Sequence, residues 1–143
     1  MKVFFDTSVL VPALVDQLAN HAAALELFVK YTSGRNQGHT STHALAECYS
    51  VLTGLPLPRR VSTVEAKRLI DESIRARLHV VNLDDVDYAA AIERVTRDGL
   101  AGRIIYDALH AVAAEKAGCT RLYTYNVDHF RAVCPDSIVV SSP

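Results

Sequence analysis

Four places in the sequence put a carboxylate or amide where solubility does not call for one. Asp6 follows directly on the apolar run Val3-Phe4-Phe5, and the carboxyl end of a buried strand is where open α/β sheets hold their ligands. Asp107 lies inside Ile104-Ile105-Tyr106-Asp107-Ala108-Leu109-His110-Ala111, a helical stretch apolar nearly all round. A carboxylate buried there without a cation or hydrogen bonds is costly, or is driven to its neutral form. Glu47 is flanked at helical spacing by Ala44 and Val51, a stripe on which a glutamate would not be chosen for solubility. Asn126 and Asp128 fall in Thr124-Tyr125-Asn126-Val127-Asp128-His129-Phe130, just past an apolar strand candidate. Thr124, Asn126 and Asp128 can each turn an oxygen toward the sheet edge that holds Asp6.

Each position also has a plain structural reading. Asp6 suits a turn or helix cap, and Asp107 in a first helical turn gains about 0.3–1 kcal/mol from the helix dipole. Glu47 suits a partly buried pair with an arginine, and Asn126 and Asp128 are ordinary turn formers. Taken together, oxygen ligands from separate strand ends and helices, without a Cys/His set, suit a hard divalent cation such as Mg²⁺ or Mn²⁺. Such an ion relieves the repulsion of clustered carboxylates. Its natural substrate partner is a phosphate, against which it can direct a water. Thr7, Ser8 and Thr124 offer hydroxyls for that phosphate or water. Arg59 and Arg60, displayed by the loop Leu55-Pro56-Leu57-Pro58, are candidate contacts for a nucleic-acid backbone, with Arg35 and Arg103 behind them. A solvated surface pair or a protein contact accounts for them equally well, and backbone contacts carry no base specificity.

Other chemistries fit less well. His39 and His43 are four apart, but the general-base glutamate of a His-Glu-x-x-His zinc helix is missing. His110, three residues past Asp107, reads as a packed, hydrogen-bonded histidine. A phosphatase of the haloacid dehalogenase kind, with Asp6 as nucleophile, wants a second Asp two residues on, where Ser8 stands. No Gly-rich phosphate loop is present. The six tyrosines and four phenylalanines are scattered and suggest no stacking platform.

The chain as a whole sets the bounds. Its 143 residues are expected to form one domain, 1–143. The formal net charge of −1 gives no global basic field, so a nucleic-acid role must rest on local arginines or metal ions. Cys48, Cys119 and Cys134 are odd in number and show no paired spacing, which argues against a disulfide framework or zinc site and for a reducing, cytoplasmic setting. Asp6 interrupts any signal-peptide core, and no apolar run approaches the roughly 20 residues that cross a bilayer. No membrane association is therefore expected.

The elements that must position the acids follow from periodicity. The unalternating run at Val3 to Phe5 predicts a strand covered on both faces, with Thr7 and Ser8 capping a short helix around Val9 to Val15. A helix through Ala22, Leu25 and Phe28 ends near Gly34. Gly38 to Ser41 is a short strand candidate, followed by a helix from Thr42 that carries Glu47. Ser62 and Glu65 have capping-box spacing for a helix running to Ile74, as do Asp84 and Asp87 for the helix through Ala90 and Val95. His79 to Leu83, Arg121 to Tyr125 and Ile138 to Val140 read as strands. Arg103 to Ala117 reads as a helix, and Asn126 to His129 as a turn. Strands alternating with helices imply βα units and a parallel sheet.

The combination of Phe4-Phe5-Asp6-Thr7-Ser8-Val9-Leu10, Glu47 in a small apolar helix, Ile105-Tyr106-Asp107-Ala108-Leu109-His110-Ala111 and Thr124-Tyr125-Asn126-Val127-Asp128-His129-Phe130 resembles a PIN domain, and among these the VapC-type toxins of prokaryotic toxin–antitoxin pairs. The resemblance implies a three-layer α/β/α sandwich around a mainly parallel five-stranded sheet, and a Mg²⁺- or Mn²⁺-dependent endoribonuclease leaving 5′-phosphate and 3′-hydroxyl ends. Carried over by position, Asp6, Glu47 and Asp107 match the family's acidic metal-site residues. Where the family often has a fourth acid this chain has Asn126, with Asp128 two residues on, which leaves a second metal open. The resemblance further implies a homodimer and a VapB-like antitoxin whose tail fills the groove. Two rivals stand beside the toxin: an RNA-processing nuclease outside any toxin–antitoxin pair, and a PIN-like module that only binds.

Overall fold

In the computed structural model, which describes residues 1–143, the run Val3-Phe4-Phe5 becomes the central strand of a sheet. The strand β1 (Lys2–Phe5) turns Val3 and Phe5 into one apolar cluster and Phe4 into another, all three fully buried. A strand with helices on both faces has no side on which a polar residue would meet water, hence the missing alternation. Four further strands, β2 (Gln37–Ser41), β3 (His79–Val81), β4 (Arg121–Tyr123) and β5 (Val139–Ser141), complete the sheet. Their order is β3-β2-β1-β4-β5 and every neighbouring pair is parallel. Phe4 stands opposite His39 on one side and Leu122 on the other.

The helices α1 (Thr7–Leu14), α2 (His21–Tyr31), α3 (Thr42–Gly54) and α4 (Thr63–Leu69) cover the face of Val3 and Phe5. The opposite face, that of Phe4, is covered by α5 (Asp85–Arg97), α6 (Ile104–Lys116) and α7 (Val127–Val133). Parallel crossovers are almost always right-handed. The chain moves outward from β1 to β2 to β3, then returns past β1 to add β4 and β5, so its helices must change face at that return. The order therefore reverses between β1 and β4, and the crevice beyond their carboxyl ends is the position where such sheets bind ligands. This arrangement is the three-layer sandwich expected above.

Local signals explain most element ends. Asp84 and Asp87 form a reciprocal capping box, each carboxylate accepting the other's backbone N–H at 3.0 Å. Ser62 caps α4 by accepting the Glu65 N–H at 3.1 Å, but Glu65 takes the Ser62 hydroxyl instead of the cap's backbone, so only half the box forms. After Leu69 the helix widens into a π-helical turn, Ile70–Arg75. Gly118 stops α6 with φ +72°, the left-handed turn in which Cys119 N–H reaches Ala114 O at 2.9 Å.

Three expectations are corrected. The first helix begins at Thr7, and its cap is Asp6 itself, not Thr7 or Ser8. The segment expected to turn at Asn126 to His129 is the start of α7; seven residues are too few for a helical period to stand out. The strands after His79 and Arg121 stop at Val81 and Tyr123, which leaves Thr124 at the sheet's rim. No helix is long and apolar enough to cross a membrane.

Candidate active site

Asp6 is held by the turn it creates. It is 4% exposed, and its Oδ2 accepts hydrogen bonds from the Ser8 N–H (3.3 Å), the Ser8 hydroxyl (2.7 Å) and the Thr124 hydroxyl (2.9 Å). The same two hydroxyl oxygens accept the backbone N–H groups of Tyr125 and Asn126, both at 2.9 Å. The β1–α1 turn is thereby stitched to the β4–α7 link across the switch point. Ser8 and the fully buried Thr124 orient Asp6; this corrects the expectation that Thr124 offers its hydroxyl to a phosphate or water.

Glu47 reaches the same rim from α3. Its Oε1 accepts from the Thr7 hydroxyl at 3.2 Å and from His110 Nε2 at 2.5 Å. The other imidazole nitrogen of His110 lies 3.0 Å from the Ser41 hydroxyl, which also caps α3 by accepting the Ala44 N–H. Burial alone lowers the His110 pKa, yet the hydrogen bond to Glu47 and the charges of Asp6, Glu47 and Asp107 outweigh it and hold it above the ordinary value. For Glu47, burial raises the pKa, and the bond and charge of His110 more than reverse that. The pair is therefore favoured as imidazolium and carboxylate, and Glu47's partner is this histidine, not an arginine. The stripe expected around Glu47 is apolar on one side only: Ala44 is buried, Val51 is 41% exposed.

Asp107 has no comparable support. Burial first, and the charge of Asp6 second, push its carboxyl up to about 6 against the pull of His110 and His129. Its nearest ion-pair contact is the Nδ1 of exposed His129, 3.7 Å away. A carboxylate this crowded wants a cation.

These groups share one open cleft. A space of about 390 Å³ is bordered by Asp6, Thr7, Ser8, Glu47, Asp107 and Asn126. A second lobe of about 420 Å³ shares Glu47, Asp107 and Asn126 and continues past Arg103, Tyr106 and His129. No three His, Cys, Asp or Glu side chains are grouped closely enough to hold a metal ion as they stand. Glu47 is turned to His110 and Asp6 to two hydroxyls. The donor set nevertheless fits a hard divalent ion, being all oxygen and including one carboxylate, Asp107, whose histidine neighbours only partly offset its burial.

Three sequence candidates lie elsewhere. Asp128 is exposed in the first turn of α7 and borders neither lobe, whereas Asn126 borders both. Arg59 and Arg60 line a different cleft, beside Gln17 and Arg68, where the Gln17 amide donates to the Arg59 carbonyl at 3.0 Å. Sequence reading also missed the link from His110 to Glu47, which spans 63 positions of chain and leaves no spacing signal. His43 was more accessible: at i−4 to Glu47, it stands 3.8 Å away.

The PIN domain family profile matches residues 3–134. Ribonuclease VapC27 of Mycobacterium tuberculosis is 34% identical over 109 residues, 76% of this chain and 74% of that protein. Ribonuclease VapC40 from the same species is 31% identical over 118 residues, 82% of this chain and 81% of that one. Among solved structures, M. tuberculosis VapC20, described as a sarcin-ricin loop cleaving toxin, superposes with a TM-score of 0.73 at 20% identity, covering 94% of this chain and 97% of its own. VapBC2 from Rickettsia felis, bound to a promoter DNA fragment, gives 0.68 at 19% identity over 100% and 99% of the two chains. Those structural likenesses speak for the fold, while the profile match runs from β1 through α7 and takes in every acid of the cleft: the chain belongs to the PIN domain family.

Proposed function

We propose that this protein is a divalent-metal-dependent endoribonuclease, the toxin of a VapBC-type toxin–antitoxin pair. The observation that carries the reading is the meeting of Asp6, Glu47 and Asp107 at one open cleft, on the switch point of a PIN sheet, with Asp107 only partly offset by His110 and His129. The named ribonuclease relatives supply the substrate class. Asp6 and Asp107 would hold a Mg²⁺ or Mn²⁺ ion with Glu47 beside them. When bound, that ion directs a water toward a phosphodiester and offsets the charge that grows on the phosphate oxygens.

The chain's own residues do the positioning. Ser8 and Thr124 fix one Asp6 oxygen and leave the other, Oδ1, without a hydrogen bond, 3.9 Å from His110 Nε2. His110 and Thr7 both engage Oε1 of Glu47, which leaves Oε2 for a ligand or water. Asn126 presents a neutral amide at the border of both lobes, so it adds an oxygen without adding to the repulsion. The test is incubation of single-stranded RNA with the protein and Mg²⁺, Mn²⁺ or EDTA. Metal-dependent products with 5′-phosphate ends, lost in Asp6→Asn, support the reading; their absence leaves a PIN-like binding module.

A VapB-like antitoxin belongs to the same proposal, because proteins of this fold have been solved as VapBC complexes; a homodimeric state is proposed on the family resemblance alone. An antitoxin tail carrying a basic side chain would find the Asp107 carboxylate its natural counter-charge. Cleavage that survives every candidate antitoxin encoded beside this chain would favour a general RNA-processing nuclease.

A further inference from the structure

The two lobes beside the acids are chemically unequal. Beyond the acids, the lobe that runs past α1 is lined by neutral side chains, polar (Thr7, Ser8, Asn20) as well as apolar (Val11, Leu18, Val51), with no cation and no aromatic ring. The lobe at the start of α6 instead carries Arg103, Tyr106 and His129. Tyr106 is 40% exposed, yet it is not loose: its ring lies parallel to that of His43, with 5.1 Å between centroids and 8° between planes. His43 is in turn 3.8 Å from Glu47. The Arg103 guanidinium carbon stands 5.9 Å from the Tyr106 ring centre, near the outer limit for a cation over an aromatic face. The elements of a stacking platform, which scattered aromatics in the sequence did not suggest, are thus assembled by α3 and α6 at the edge of the acidic cleft.

Unpaired RNA bases are bound by stacking on aromatic rings and arginine planes, while cations take the backbone. We propose that this lobe is the subsite for the nucleotide adjoining the scissile phosphate. Its base stacks on Tyr106, between that ring and the Arg103 guanidinium. Its sugar-phosphate lies toward His129, next to Asp107. Arg103 is exposed, so its side chain can swing outward to admit a base, and His43 stacks on the same ring. RNA then crosses the acids in one direction, with its stacked nucleotide on the α6 side and a less tightly held one along α1. This deepens the nuclease reading above and rests on it for the identity of the ligand.

The test uses a ten-nucleotide single-stranded RNA carrying one 2-aminopurine, placed at each position in turn and added to the full chain in the non-cleaving Asp6→Asn background. The expected result is quenching of the fluorophore at one position on binding, retained in Tyr106→Phe. In Tyr106→Leu, which keeps apolar bulk without a π face, quenching is lost and binding weakens about tenfold, toward the lower end of what one base–aromatic stack contributes. With Asp6 intact, Tyr106→Leu raises KM by a similar factor and changes kcat less. Equal affinity and equal quenching in Tyr106→Leu and the parent overturn the subsite, even if the intact enzyme cuts RNA. Position-specific quenching in a chain that cuts no RNA with either metal would uphold the subsite and refute the nuclease.

Discussion

Replacing Asp107 by Asn should make the metal-free protein more stable at pH 8 while abolishing its activity. The carboxyl is shifted from an ordinary 3.8 to about 6. At about 1.4 kcal/mol per pKa unit this corresponds to roughly 3 kcal/mol. With 20% of the side chain in solvent, screening reduces it to about 1–2 kcal/mol. The position at the start of α6 works the other way, since a first-turn carboxylate gains about 0.3–1 kcal/mol from the dipole. Desolvation and the Asp6 charge win, leaving Asp107→Asn ahead by about 1 kcal/mol, or about 3 °C in melting temperature for a chain of this size. The sign follows from linkage: an acid with a raised folded-state pKa costs nothing below its unfolded value of 3.8 and its full amount above about 6. Wild-type stability therefore falls as pH rises between those values, and the advantage of the variant shrinks at pH 4.5. Thermal melts by circular dichroism in EDTA at both pH values measure this. Added Mn²⁺ should raise the wild type and not the variant. A variant that melts below the wild type at pH 8 in EDTA would show that the helix dipole, or a partner of Asp107, dominates instead.

Asp6→Asn should remove cleavage and cost about 1–3 kcal/mol of stability, because a charge-assisted acceptor of three hydrogen bonds becomes a neutral one; a folded variant that still cleaves would exclude Asp6 from the metal site. His110→Leu leaves the Glu47 carboxylate and the Ser41 hydroxyl without their shared partner, and urea melts should show a loss of about 1–3 kcal/mol, whereas an unchanged midpoint would mean that the network contributes nothing. Arg59→Ala with Arg60→Ala, in a cleft apart from the acids, should leave kcat unchanged, and the salt dependence of RNA binding should flatten by no more than about 2 in log–log slope. A fall in kcat would place these side chains at the chemistry after all. Gly38→Ala sets a Cβ 2.7 Å from Leu78 Cδ2 and 3.1 Å from the Tyr31 carbonyl, so overpacking should cost about 1–3 kcal/mol; an equal or higher melting temperature would reveal slack at that contact.

The sequence by itself determined the alternation of strands and helices, the two-sided burial of Val3, Phe4 and Phe5, the Asp84–Asp87 cap, and the family to which Asp6, Glu47 and Asp107 belong. Those features are encoded within a few residues, by periodicity, capping chemistry and spaced acids, and so they can be read before any fold is known. The roles of neighbouring groups were not legible in this way. Whether Ser8 and Thr124 face substrate or Asp6, whether Glu47 pairs with arginine or histidine, and whether Arg59 lies near the acids all depend on contacts between distant segments. Only the tertiary structure decided them. The return of the chain past β1 brings α3, α6 and the β4–α7 link to one rim, and the carboxylates, imidazoles and aromatic rings found there acquire their partners from that meeting.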